Sequence, residues 1–157
     1  MLNRLQDVFA SLSRHDVRYV VIGGIAVVLH GVPRATFDLD ILIDATPANA
    51  ASLLQALVDA GLGTATLTTP EEVLANEITV FKDRVRIDVQ TSTPGLSFSD
   101  AWSHRDAMEY HGQSFHVVSK PDLIAAKRAA GQPVDLEDVR LLLSGGADDQ
   151  RSTSADD

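Results

Sequence analysis

Residues 17–43 read VRYVVIGGIAVVLHGVPRATFDLDILI, and the fold is decided here. Val17 to Ile22 is apolar and rich in β-branched side chains, the composition of a buried strand. Gly23-Gly24 stops that strand. Ile25 to His30 is short and helix-compatible, with Gly31 as its stop and Pro33 just beyond. Phe37 to Ile43 alternates acidic with apolar residues and then turns wholly apolar, which predicts a second strand.

Elements follow on both sides. Leu2, Leu5, Val8, Phe9 and Leu12 recur at helical spacing over residues 2–13 and predict an amphipathic helix. Thr46-Pro47 opens a helix that Ala50 to Ala60 continues as far as Gly61. Thr64 to Thr68 reads as a short strand, and Pro70 to Ala75 as a turn or two of helix. Glu77–Phe81 and Arg84–Gln90 flank Lys82-Asp83 and predict a tight hairpin. Trp102 falls in a helical segment and, with Met108, reads as core. Ala107–Tyr110 and Ser114–Val118 predict a second hairpin around His111-Gly112-Gln113. Ser119 caps a helix over residues 120–130, with Asp122 in its first turn. Asp135 to Leu143 is the last helix, ended by Gly145-Gly146. The pattern predicts an α/β (α+β) fold, a small mixed sheet with flanking helices, over residues 1–146. Residues 147–157 read as an acidic, disordered tail.

Bulk properties narrow the function. The 157 residues are enough for one domain with a real core, at 45% apolar and 22% charged. There is no cysteine, which excludes disulfides, zinc-thiolate sites and cysteine nucleophiles. The N-terminus has no signal-peptide pattern, and the apolar run Tyr19 to Leu29 is too short to span a bilayer, so a cytoplasmic protein with no membrane partner is expected. Net charge is −9, of which the last ten residues supply −3. Broad phosphate-backbone binding calls for clustered Lys and Arg, and this chain has no such cluster in sequence. An anionic substrate would need a cation to offset the acidic chain. Arg14, Arg18, Arg34 and Arg105 are the candidates for a local basic patch.

Three features carry chemistry. Gly23-Gly24 joins a strand to a helix, where missing side chains let backbone N–H groups approach an anion; a tight turn alone needs the same glycines. Asp38 and Asp40 stand two apart on a strand, so both carboxylates leave the same face. Side by side they repel, and burial makes each costlier, unless a hard cation such as Mg²⁺ or Mn²⁺ lies between them. Full solvation at a sheet edge is the competing explanation, and the apolar flanks argue against it. Asp88, in Val85-Arg-Ile-Asp-Val-Gln90, is a third acid on a strand. Arg86 shares its face, so a plain ion pair competes with a metal-binding role.

The combination resembles the DNA polymerase β superfamily of nucleotidyltransferases. The run from Gly23-Gly24 through His30, Gly31, Arg34 and Thr36 to Asp38-Leu-Asp40 looks like its compact bacterial members related to the abortive-infection type IV toxins. Asp122-Leu-Ile-Ala-Ala-Lys127, followed by Asp135-Leu-Glu-Asp138, looks like their closing helices. The resemblance implies the minimal nucleotidyltransferase fold and transfer of a nucleoside monophosphate from a nucleoside triphosphate to an acceptor hydroxyl, releasing pyrophosphate. It implies two Mg²⁺ (or Mn²⁺) ions on the catalytic Asp38, Asp40 and Asp88, with the nucleotide held by Gly23, Gly24 and Lys127. The acceptor is left open among protein hydroxyls, a tRNA end and small molecules. Such relatives often carry an arginine and a lysine between the closing helices, where this chain has Gln132 and Val134. That departure suits the alternative: a catalytically weak antitoxin or regulatory partner on the same fold, within a toxin–antitoxin pair. His30 reads as a helix-end residue that steadies its own turn.

Overall fold

The computed structural model describes residues 2–36 and 38–155, with side chains to residue 145. Strands β1 (Tyr19–Ile22), β2 (Asp38–Ile43), β3 (Ile78–Lys82), β4 (Arg86–Gln90), β5 (Asp106–Tyr110) and β6 (Gln113–Val117) form one mixed sheet in the order β3-β4-β2-β1-β6-β5. Neighbours pair antiparallel except β2 with β4 and β1 with β6, which are parallel. The expected small mixed sheet with flanking helices is therefore what the chain forms.

Alternation and register divide the sheet into two unlike faces. One carries Val21, Leu39, Ile41, Ile43, Ile87, Val89, Phe115 and Val117, all buried. Helix α1 (Leu2–Arg14) covers it with Leu5, Val8, Phe9 and Leu12. Phe9 stacks on Phe115 at 4.5 Å between ring centres. Helix α3 (Pro47–Asp59) lies beside α1, tied by Ser11 Oγ donating to the Ala56 carbonyl at 2.6 Å. The opposite face carries Val20, Ile22 and Leu42 and then, in adjoining positions, Asp38, Asp40, Arg86, Asp88 and Gln90. Helices α2 (Gly23–Leu29), α6 (Lys120–Ala130) and α7 (Pro133–Ala155) gather near these polar positions.

Local chemistry sets the boundaries. Thr46, Thr69, Ser97 and Ser119 cap α3, α4 (Pro70–Ala75), α5 (Phe98–His104) and α6 through their side-chain oxygens. His111 and Gly112 take the positive φ values, 49° and 80°, that a two-residue β5–β6 turn demands.

Four expectations change. Residues 63–67 form a short 3-10 helix, not a strand. Thr66 Oγ1 donates to the Gly63 carbonyl and Thr64 bonds Asp83, so local threonine bonds take the place of a strand ladder. The β3–β4 connection spans Asp83 to Val85, one residue longer than expected. The last helix does not stop at Gly145-Gly146: its backbone runs to Ala155, and Gly145 is not among the glycines with positive φ that would end it. Mid-helix glycine costs only about 1 kcal/mol relative to alanine, so it weakens a helix without terminating it. Residues 156 and 157 of the acidic tail lie outside the described residues, as does Phe37, the expected start of β2. Lastly, His30 closes its own turn only through the backbone, its N–H donating to the Ala26 carbonyl at 3.0 Å, while its side chain bonds the Val118 carbonyl through Nε2 at 2.7 Å and fastens the end of α2 to the end of β6. Among the described residues no helix is long and apolar enough to cross a membrane.

Candidate active site

The acids meet through strand pairing. Parallel register sets Asp40 beside Asp88 and Asp38 beside Arg86, so four polar side chains occupy adjoining positions on one face. On the other flank of Asp40 the antiparallel partner is Ile22, the last residue of β1. Gly23 follows it with φ 69°, in the left-handed region that favours glycine. A Cβ there would touch Asp40 Oδ2 and lie 2.9 Å from Asp40 Cγ. The turn is glycine because the carboxylate fills the side-chain space. At Gly24 a Cβ would come within 2.9 Å of Thr36 Oγ1, so one glycine abuts β2 and the next the segment leading into it.

Asp40 is pushed up to about 7 from the usual carboxylate range, first by burial, then by the charge of Asp88, by a hydrogen bond with it, and by Asp38; Lys127 opposes the rise. Burial, added to crowded carboxylates with too little positive charge, accounts for this. Arg86 answers part of the need. Its Nε and Nη2 donate to Asp88 Oδ1 and Oδ2 at 3.0 and 3.4 Å, and Nε lies 3.7 Å from Asp38 Oδ2. The ion pair anticipated for Asp88 is thus present, and it extends to Asp38.

A cleft of about 330 Å³ opens in front of Asp40, between this sheet face and α6. It is lined by Gly23, Gly24, Arg34, Asp40, Lys127 and Asp135, among others. Asp38 and Asp88 do not line it but stand next to Asp40 on the sheet. Lys127 is held in place by Asp135 at 3.3 Å and Asp138 at 3.1 Å. Arg34 Nη1 shares the same Asp138 oxygen at 2.5 Å. A single buried carboxylate therefore aligns two cations along the wall of the cleft facing Asp40. Asp138→Asn is expected to destabilise the fold by about 1.5 kcal/mol, since two charge-assisted bonds weaken together, measured by urea unfolding.

Sequence reasoning left Asp138 without a role, although an acid four residues before the apolar Leu142, on the same helix face, carried some signal; Asp138 is 3% exposed and Val139 beside it 7%. Gln90 and Thr93 also line the cleft and went unnoticed. Gln90 was findable, since it shares a strand face with Asp88 two residues earlier. The four candidate arginines do not act as one patch: Arg34 sits in the cleft, whereas Arg18 and Arg105 lie over the Trp102 ring at 5.1 and 3.7 Å. Trp102 is partly buried against the core rather than within it.

The donor set of three aspartates on one face is all hard oxygen and suits Mg²⁺ or Mn²⁺. As the side chains stand, no three acidic or histidine groups among the described residues converge on one point, and Arg86 contacts two of the three acids instead.

Over residues 2–143 the chain matches the family described as nucleotidyltransferase of unknown function (DUF6036), and it belongs to that family. Its fold is similar to the crystal structure of a candidate nucleotidyltransferase from Thermotoga maritima, with a TM-score of 0.57, 18% identity, and coverage of 91% of this chain and 92% of that one. At that identity the likeness concerns the fold alone. No curated protein matches the sequence.

Proposed function

We propose that the protein moves a nucleoside monophosphate from a nucleoside triphosphate to an acceptor hydroxyl, releasing pyrophosphate, with divalent metal bound by Asp38, Asp40 and Asp88. The observation that carries this reading is the close approach of Gly23 to Asp40 with Lys127 and Arg34 lining the same cleft. Bare glycine backbone admits phosphate oxygens next to an acidic group, a juxtaposition that repels unless cations serve both. Lys127 contributes a point charge and Arg34 a planar fork toward the triphosphate. Mg²⁺ or Mn²⁺ held by the aspartates would neutralise phosphate charge and acidify the acceptor hydroxyl. The acceptor oxygen attacks the α-phosphorus, the bond to the bridging oxygen of the β-phosphate breaks, and pyrophosphate departs. Asp88, next to Asp40 on the sheet, would take the acceptor's proton in this reading. Protein hydroxyls, a tRNA end and small molecules all remain within this chemistry. Kinship with abortive-infection type IV toxins belongs to the same proposal and rests on the glycine-to-aspartate motif and the closing helices.

A second reading, a catalytically weak antitoxin or regulatory partner, draws on positions 132 and 134, where Gln132 and the 53% exposed Val134 add no charge near the cleft. Calorimetry separates the two. Each nucleoside triphosphate is titrated with Mn²⁺ into the full chain and into the Asp38→Ala/Asp40→Ala variant. Binding that disappears in the variant is expected. A folded wild type that takes up none of the triphosphates would sink the transferase reading in favour of the partner.

A further inference from the structure

Among the described residues, Arg86 is the only cation in an ion pair with Asp38 or Asp88. Its position follows from the ladder. In the parallel pairing of β2 with β4, Asp38, Asp40, Asp88 and Arg86 occupy the corners of one square on the sheet face, three acids and one guanidinium. The guanidinium engages both carboxylate oxygens of Asp88 and leans on Asp38 Oδ2 at 3.7 Å. These are the oxygens that a divalent ion on the acidic cluster needs. An ion arriving there meets occupied acceptors and a fixed positive charge within bonding distance of its own ligands. Arg86 is also free to leave: its side chain is 40% exposed, against 16% for Asp88.

We propose that Arg86 is an exchangeable counter-cation, holding Asp38 and Asp88 together in the ion-free protein and withdrawing from Asp88 when a divalent ion binds. The inference rests on the reading of the three aspartates as a metal site. It has a functional consequence. Competition from Arg86 weakens the site for a bare ion, while an ion carried by a triphosphate brings extra ligands and finds Gly23, Lys127 and Arg34 ready for the phosphates. The site thereby favours the metal–nucleotide complex over free metal and keeps its acids ordered between turnovers.

The test uses Mn²⁺ alone, titrated into the full chain by calorimetry with the fold checked by circular dichroism. Arg86→Gln is expected to bind Mn²⁺ about tenfold tighter than wild type, because it removes both the competitor and a repelling charge. Arg86→Lys keeps the charge but loses the two-pronged grip, and is expected to tighten binding by about threefold. If Arg86→Gln does not fold, Arg86→Lys carries the test. Mn²⁺ affinity equal to or weaker than wild type in a folded variant would overturn the exchange, leaving Arg86 as a group that positions the acids for metal. If neither wild type nor variants take up Mn²⁺, the metal site itself is refuted and the exchange with it.

Discussion

Asp40→Asn is expected to stabilise the metal-free protein at pH 8 by about 2 kcal/mol while lowering nucleotidyl transfer by about three orders of magnitude. Both effects come from a buried carboxylate crowded by its neighbours. Asp40 is raised from 3.8 to about 7 by burial and by its carboxylate neighbours. The folded protein then holds a proton that the unfolded chain releases, so the contribution to stability is fully present below the unfolded value and falls as pH rises toward about 7. Above that, the whole penalty applies. A shift of this size corresponds to about 4 kcal/mol, and the partial exposure of the site reduces it to about half. Asparagine fills the same space without the charge. Melting curves should show a gain of about 5 °C for Asp40→Asn at pH 8 and about 2 °C at pH 5, where the unfolded chain has already released the proton that the folded protein keeps. Equal gains at both pH values would mean that packing, not charge, sets the effect. The lost activity follows from removing the central oxygen donor, which no other side chain in the cleft replaces.

Gly23→Ala should be the most damaging single methyl in the chain, costing about 3 kcal/mol and lowering the melting temperature by about 10 °C. The residue has φ 69°, where alanine is strained. The new methyl also meets Asp40 itself: Oδ2 and Cγ can swing aside, but Asp40 Cβ, 3.0 Å away, is tied to β2. The turn or the strand must move, and either shift separates the backbone proposed to bind phosphate from the acids. Nucleotide binding is therefore expected to disappear at temperatures where the variant is still folded. Gly24→Ala is the control. Its nearest contact, Thr36 Oγ1 at 2.9 Å, is a side-chain hydroxyl that can rotate away, and Thr36 Cβ at 3.3 Å needs to give by only a few tenths of an ångström, so the cost should stay within about 1 kcal/mol. Similar losses in the two variants would argue against the close approach of Gly23 to Asp40 as the reason for glycine there.

Periodicity and caps disclosed most of the architecture, because they act within a few residues. Leu5, Val8, Phe9 and Leu12 marked α1, Ser119 marked the start of α6, and Asp38-Leu-Asp40 announced two acids on one strand face. Pairings between distant segments were beyond such reasoning. Arg86 was placed beside Asp88 by strand alternation, but its contact with Asp38 depends on the parallel register of β2 and β4, which no local pattern specifies. The same holds for Arg34 and Asp138, partners across 104 positions of sequence. Residues 64–68 misled for a different reason: alternating threonines look like a strand, and only hydrogen bonds to Gly63 and Asp83 tip them into a 3-10 turn.

The seam between β2 and β4 has a consequence for how the protein comes into being. β1 with β2 and β3 with β4 are antiparallel neighbours joined by local connections, each able to form early. Asp38 and Asp40 travel on the first of these units, Asp88 and Arg86 on the second. Neither unit gathers all three acids by itself, so the repulsion of Asp88 against Asp38 and Asp40 arises only where β2 pairs with β4. Arg86 arrives on the same strand as the last acid, bringing neutralising charge into the step that requires it. The full charge of the acidic cluster is thus assembled only where the two units pair, and the strand that completes it also carries the residue that offsets it.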